Sequence, residues 1–174
     1  TASFKVQWIH IIKIEVFEDL VLKKANKLVA QKRLDEAYDY FEWLLDRGVK
    51  KLKDEKRKQP DTLIQRYESE LNKSLQAYLF EEAKYLYQEK MHYGALAMMR
   101  ELHEQNPVYP GLDRAMGAAT DQLVSNYLTQ KDYRSARKLI RNLNKAYPNH
   151  PVAAQGDKNL RAQATTLFNQ AQTA

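Results

Sequence analysis

Apolar residues recur every three or four positions along the C-terminal half of this chain, and charged residues lie between them. The clearest stretch runs from residue 133 to residue 147, and its apolar or small positions are Tyr133, Ala136, Leu139, Ile140, Leu143, Ala146 and Tyr147. The opposite face carries the basic residues Arg134, Lys138, Arg141 and Lys145. This spacing is typical of an amphipathic α-helix with one buried side.

A second helix is predicted directly before this one. Residues 112–129 contain no proline, and their pattern breaks at Gln130-Lys131-Asp132. After the later helix, Pro148 cannot continue it, and Asn149-His150-Pro151 has the composition of a turn. The sequence therefore predicts two antiparallel helices joined by a tight turn, which form an α-helical hairpin.

The hairpin pattern occurs three times in the sequence. A shift of 41 residues superimposes Ala95, Pro107 and Pro110 on Ala136, Pro148 and Pro151. A shift of 58 residues pairs an earlier copy with the middle one, matching Leu28 with Leu86, Lys32 with Lys90, Ala37 with Ala95, Phe41 with Met99 and Leu44 with Leu102. Self-similarity at a period of about 20–50 residues marks a stack of supersecondary units. We therefore expect an all-α fold, an α-solenoid with hairpin units at residues 18–48, 71–110 and 112–151.

These repeats resemble the tetratricopeptide repeat (TPR), in which the second helix has a small residue, a large apolar residue four positions on and a proline at its end. The matching sets are Ala37/Phe41, Ala95/Met99/Pro107 and Ala136/Ile140/Pro148. The period departs from the TPR length of about 34 residues. The early Trp and Gly of the motif are absent, and Val49 stands where the first unit should have proline. The resemblance implies close helix packing at the three alanines and a non-catalytic protein-interaction scaffold.

A second, narrower resemblance concerns the sequence that opens the stack. Lys13-Ile14-Glu15-Val16-Phe17-Glu18-Asp19 is similar to the start of helical domains that precede periplasmic solute-binding domains in some bacterial transport proteins. This resemblance implies an alternative function, the N-terminal helical domain of a larger solute- or peptide-binding transport protein. It also implies an extracytoplasmic location.

A basic insertion at residues 49–60 separates the first two hairpins. Arg47 to Lys58 holds seven basic and two acidic residues, a net charge of +5, while the whole chain carries +6. Clustered lysines can contact phosphates, but no aromatic residue for base stacking lies among them. We interpret the insertion as a solvated connection and expect no specific nucleic-acid partner. Residues 61–89 contain neither Gly nor Pro, which predicts one long helix.

Both ends of the sequence carry apolar residues that the three hairpins do not account for. Residues 4–16 are rich in β-branched side chains, and we expect an extended segment from 4 to about 12 that turns into helix by Phe17. Residues 152–174 predict an end helix, either a cap or the first helix of a further unit, with Leu160, Ala164, Leu167 and Ala171 on one face. We expect residues 4–16 and 160–171 to pack against a second copy of the chain or an adjacent domain. The sequence is interpreted as a fragment of a larger protein.

Length and composition limit the other possibilities. The 174 residues suit a single domain, residues 1–174. The chain has no Cys, which excludes disulfides, thiolate nucleophiles and Cys-ligated zinc. No run approaches 18 apolar residues, so no membrane span is predicted.

The sequence contains no constellation of catalytic or metal-ligating residues. Glu89 and His92 match one E-x-x-H element of a di-iron bundle, but the second such pair is missing, and we place His92 in a turn. His103-Glu104 lacks the second His of a zinc protease motif, and no glycine-rich phosphate loop is present. We expect no cofactor, no metal and no enzymatic activity.

The TPR resemblance implies a concave groove that is lined by the first helix of each hairpin and binds a protein or peptide. The predicted groove residues are Lys23, Asn26, Glu81, Lys84, Tyr87, Gln122 and Ser125. TPR receptors for chaperone tails use a clamp of Lys, Asn, Asn, Lys and Arg around a terminal carboxylate. The matching positions here hold Leu22, Asn26, Glu81, Ala118 and Gln122, of which only Asn26 fits. Because Glu81 would repel a carboxylate, we exclude that kind of receptor.

Overall fold

The computed structural model describes residues 17–48 and 61–173, and within these ranges the protein is all-α, without a strand. Its helices are α1 (Phe17–Ala30), α2 (Leu34–Trp43), α3 (Asp61–Gln88), α4 (His92–Gln105), α5 (Leu112–Thr129), α6 (Tyr133–Ala146) and α7 (Pro151–Thr173). A π-helical turn, Leu44–Gly48, continues α2. The all-α prediction is confirmed. The expected extended segment at 4–12 and the basic insertion at 49–60 lie outside the described residues.

The predicted helix limits agree closely with the structure. The helix expected at 112–129 has those limits, and the one expected at 133–147 ends at Ala146. The long helix expected at 61–89 ends at Gln88, and the end helix starts at Pro151. The prediction that His92 lies in a turn is wrong by one position, because His92 is the first residue of α4. Local apolar spacing and chain-breaking residues were therefore sufficient to locate these four helices.

The chain divides into two compact units inside α3, between Tyr78 and Leu79. In the first unit, α1 packs against α2, and the ring of Phe41 lies 5.6 Å from that of Tyr78. Its buried core consists of Val21, Leu22, Ala25, Leu28, Val29, Leu34, Ala37, Phe41, Leu44, Tyr67 and Leu71.

In the second unit, α5 packs against both α4 and α6, and α7 packs against both α5 and α6. The core of this unit is drawn from all its helices and includes Ala83, Leu96, Met99, Leu102, Leu112, Met116, Leu123, Leu139, Ile140, Leu143 and Leu160. These packed helices thus bury their apolar faces together, which is how amphipathic helices leave water.

One backbone conformation recurs at the turn of all three hairpins. Lys32, Lys90 and Lys131 have φ angles of 61°, 63° and 60°, in the left-handed region. The following N–H groups, of Arg33, Met91 and Asp132, donate to the carbonyl oxygens of Leu28, Leu86 and Tyr127 at 3.0, 2.9 and 2.8 Å. Together with the hydrogen bonds made by the lysine N–H groups themselves, this is the Schellman arrangement that ends a helix. The three lysines are the ones that the repeat shifts superimpose.

The small residues of the repeat are buried in all three hairpins. Ala37, Ala95 and Ala136 are each 0% exposed, in α2, α4 and α6. A helix pair can approach closely only where at least one of the facing side chains is short. Pro107 and Pro148 follow the ends of α4 and α6, and both are exposed.

Candidate functional site

The predicted groove residues of the second unit lie on α3 and α5. Glu81, Lys84 and Tyr87 occupy the last two turns of α3 and are partly buried. Gln122 and Ser125 lie three residues apart on α5, so they share one face of it, and both are exposed. Lys23 and Asn26 are exposed on α1 and belong to the first unit.

The structure brings Glu81 and Lys84 together as an ion pair. Lys84 Nζ donates to Glu81 Oε1 at 2.8 Å and to Oε2 at 3.1 Å. The same ammonium lies 5.5 Å from the centre of the Phe80 ring, within the range of a cation–π contact. The Lys84 side chain is 42% exposed and that of Glu81 is 22% exposed. The ammonium group is thus held in position by two neighbours and still meets solvent.

Tyr109 completes this cluster from the connection between α4 and α5. Its ring lies 5.0 Å from that of Phe80, at an interplanar angle of 55°. Burial raises the pKa of the Tyr109 hydroxyl, and the positive charge of Lys84 acts in the opposite direction. Phe80, Glu81, Lys84 and Tyr109 form what we call the α3 cluster. The repeat pattern did not identify Tyr109, since it lies outside the helices, and its only sequence signal is its position between Pro107 and Pro110.

Tyr87 has a packing role at the hairpin turn. Its ring lies 5.0 Å from that of His92, the first residue of α4. The contact connects the end of α3 to the start of α4 across the left-handed Lys90. Tyr87 was predicted as a groove residue, and in the structure its ring contacts this turn.

The polar side chains on α5 are held by hydrogen bonds within the helix. Gln122 Nε2 donates to Asn126 Oδ1 at 3.4 Å, and Thr129 Oγ1 donates to the carbonyl oxygen of Ser125 at 3.0 Å. These are solvent-exposed bonds that a partner group could replace at small cost, because an exposed hydrogen bond exchanges with water.

A tyrosine pair joins α4 to α5 at the surface of the same unit. The hydroxyls of Tyr93 and Tyr127 are hydrogen-bonded, and their rings meet edge to face with centres 6.4 Å apart. This hydrogen bond is the main cause of the raised pKa of Tyr127. The sequence pattern did not predict this pair, which joins positions 34 residues apart.

The described residues include no group of three or more His, Asp or Glu that could hold a metal ion. The rings of His103 and Tyr147 are 4.9 Å apart, so His103 is part of an aromatic contact. Among the helices that the structure describes, none is long and apolar enough to cross a bilayer. The described surface of the second unit thus presents the fixed ammonium of Lys84, exposed amides and aromatic side chains.

The chain matches no protein-family model, and no curated protein or solved structure matches it significantly. A functional proposal therefore rests on the residues described above.

Proposed function

We propose that this chain is a non-catalytic protein-interaction module of TPR type, which binds an extended or helical segment of a protein partner. The observation that carries the proposal is the left-handed lysine turn, which recurs at Lys32, Lys90 and Lys131. Three hairpins with one turn geometry and one buried alanine position are what a helical repeat requires. Repeat domains of this kind act through the surfaces that their helices expose.

The chemistry of the α3 cluster supports a peptide as the ligand. Lys84 can donate to a backbone carbonyl or a side-chain acceptor, because its ammonium group has three N–H donors and Glu81 accepts from it without covering it. The edges of Phe80 and Tyr109 offer apolar contact beside that donor. Gln122 adds a side-chain amide, which can both donate to and accept from a peptide backbone.

A peptide selection tests the proposal without knowledge of the natural partner. The purified chain serves as bait for a displayed library of random peptides, and the enriched peptides are measured against variants by calorimetry. We expect Lys84→Ala and Gln122→Ala each to weaken binding by about tenfold or more, which corresponds to about 1.4 kcal/mol.

Two matched controls lie on α7. Gln155 makes the same i, i+4 amide bond to Asn159 that Gln122 makes to Asn126, and Lys158 is an exposed lysine. We expect Gln155→Ala and Lys158→Ala to change affinity by less than about twofold, as distant surface substitutions do. A selection that enriches no peptide, or peptides that bind all four variants equally, would exclude this surface as the binding site.

The exposed end of α7 favours a second candidate function, that of a helical domain in a larger solute-binding transport protein. Residues 161–173 are exposed throughout, and they include Leu167 at 45% and Phe168 at 62%. Exposed large apolar residues are a feature of surfaces that meet another domain. The full sequence of the encoding gene separates the two candidates, because only the second requires a ligand-binding domain downstream.

A further inference from the structure

Helices α2 and α6 carry charged stripes of opposite sign at equivalent repeat positions. The acidic stripe consists of Asp35, Asp39 and Glu42 on α2 and Asp46 in the π-helical turn that follows. The basic stripe consists of Arg134, Lys138, Arg141 and Lys145 on α6. The two repeat shifts of 58 and 41 residues add to 99, and a shift of 99 superimposes each acid on one of the bases.

Among the described residues, no ion pair neutralises either stripe. All eight side chains are exposed. The ion pairs seen between described residues involve other side chains, such as the pair between Arg33 and Glu36 beside the acidic stripe. Within the described part of the chain, Asp132 acts near the basic stripe, and its pKa is lowered mainly by its hydrogen bonds from Ser135 and only slightly by Arg134. Helix α2 contains no basic residue and helix α6 contains no acidic one.

We propose that the acidic stripe of one chain binds the basic stripe of a second copy. Both stripes place charges at i, i+4, i+7 and i+11. At about 100° and 1.5 Å per residue of α-helix, the basic stripe is a narrow band roughly 16 Å long on one side of α6. On α2, Asp35, Asp39 and Glu42 share one side in the same way, and Asp46 follows them in the π-helical turn. The intervals of 4, 3 and 4 residues read the same in both directions. Opposite charges can therefore face one another whether the two helices run parallel or antiparallel.

A second copy accounts for features that other partners would leave unexplained. The exposed positions of α6 between Arg134 and Lys145 carry only basic and amide side chains, so the helix has no free apolar face to enter a membrane. They include no aromatic residue for stacking on single-stranded bases. A polyanion would occupy the basic stripe and leave the acidic stripe without a role. The equivalent positions of the middle hairpin, Tyr93, Ala97, Arg100 and Glu104, form no stripe of either sign.

The contact joins two different surfaces, and each copy carries both of them. Two copies can pair reciprocally in a closed dimer, or a stripe that is left free can bind a further copy and extend the assembly. Because exposed ion pairs are individually weak and screened by salt, the association is expected to be weak and salt-dependent.

Sedimentation of the full chain over a range of concentrations gives the first test. At an ionic strength of about 0.01 M, we expect the average mass to rise with concentration above that of the monomer. The increase should disappear near 1 M salt, where the Debye length is about 3 Å. A chain that stays monomeric at low salt and high concentration, or an association that is equally strong at 1 M salt, overturns the proposal.

Charge reversal gives the second test. The variant Asp39→Lys/Glu42→Lys places two bases at the centre of the acidic stripe, and the variant Lys138→Glu/Arg141→Glu places two acids at the centre of the basic stripe. Each variant alone should self-associate at least about tenfold more weakly than the unmodified chain, because like charges meet. A mixture of the two should regain association, since the intact basic stripe of one variant can then face the intact acidic stripe of the other. Equal helical circular dichroism of all chains shows that folding is retained.

The mixing experiment distinguishes a specific contact from a general effect of charge. Variants that self-associate as well as the unmodified chain overturn the proposal. So does a mixture that remains monomeric while the folded unmodified chain associates. If the basic stripe binds duplex DNA or an acidic peptide while no self-association occurs under any condition, the occupant is that partner and the proposal of a second copy is wrong.

Discussion

Gly156 of α7 lies so close to Ile140 of α6 that a Cβ atom built on it would stand 2.7 Å from Ile140 Cδ1 and 2.9 Å from Cγ1. Both residues are buried, and Ile140 is only 4% exposed. The absence of a side chain at residue 156 therefore allows α6 and α7 to pack at this distance. Glycine in a helix interior is otherwise unfavourable by about 0.5–1 kcal/mol relative to alanine.

We predict that Gly156→Ala destabilises the protein by about 1–3 kcal/mol, because the added methyl group overpacks the contact with Ile140. The matched control is Gly94→Ala in α4, where the new Cβ would meet Leu86 Cδ1 at an ordinary 3.4 Å. We expect the control to be neutral or to stabilise by up to about 1 kcal/mol. Urea denaturation followed by circular dichroism measures both, and a Gly156→Ala variant as stable as the control would contradict the close contact.

The left-handed lysines predict an unusual stabilising substitution. A residue with a Cβ atom costs about 1–2 kcal/mol in this conformation, and glycine avoids most of that cost but is more flexible when unfolded. Lys131→Gly should therefore stabilise the protein by about 0.5–1 kcal/mol. In contrast, Lys138→Gly, in the interior of α6, should destabilise it by about 1 kcal/mol. If both variants lose stability in urea, the shared turn geometry is not present in solution.

The buried alanines predict a large difference between two identical changes on one helix. Ala136 is 0% exposed, so Ala136→Leu should overpack α6 against its neighbours and destabilise by about 1–3 kcal/mol. Lys145→Leu, on the exposed face of α6, should change stability by less than about 0.5 kcal/mol. Thermal melting distinguishes them, and equal shifts for the two variants would show that the repeat register is wrong.

Asp132 predicts a pH-dependent contribution to stability. Its carboxylate caps α6 by accepting a hydrogen bond from the Ser135 N–H at 3.0 Å. The hydrogen bonds from Ser135 lower the pKa of Asp132 in the folded protein. A lowered folded-state pKa means that the carboxylate stabilises the fold fully above its unfolded pKa of about 3.9. This contribution is lost as the pH falls through the lower folded value.

Comparison with Asp132→Asn isolates this contribution, because Asn can cap the helix but does not titrate. We expect the unmodified chain to have the higher urea midpoint near pH 7, and the difference to shrink below about pH 4. If the difference in urea midpoint between the two chains stays the same from pH 7 to below about pH 4, the charge of Asp132 does not stabilise the fold.

The sequence alone identified most helix boundaries to within one residue. This was possible because the signals are local: apolar spacing marks the buried face of each helix, and Pro148 or a turn sequence marks an end. The sequence also aligned Lys32, Lys90 and Lys131. Their left-handed conformation was not predicted, because glycine and asparagine are the residues that favour it. The solenoid arrangement and the groove remain predictions.

The determinants of the candidate site came from the tertiary structure. Tyr109 meets Phe80 across 29 positions of sequence, and Tyr93 meets Tyr127 across 34. From the sequence alone, a glycine at position 156 indicates a weak point inside a helix. In the packed structure, the same glycine allows the side chain of Ile140 to approach the backbone of α7. Local periodicity specifies which face of a helix is buried. Which side chains meet on that face depends on the distances between packed helices. The order of residues along one helix does not determine those distances.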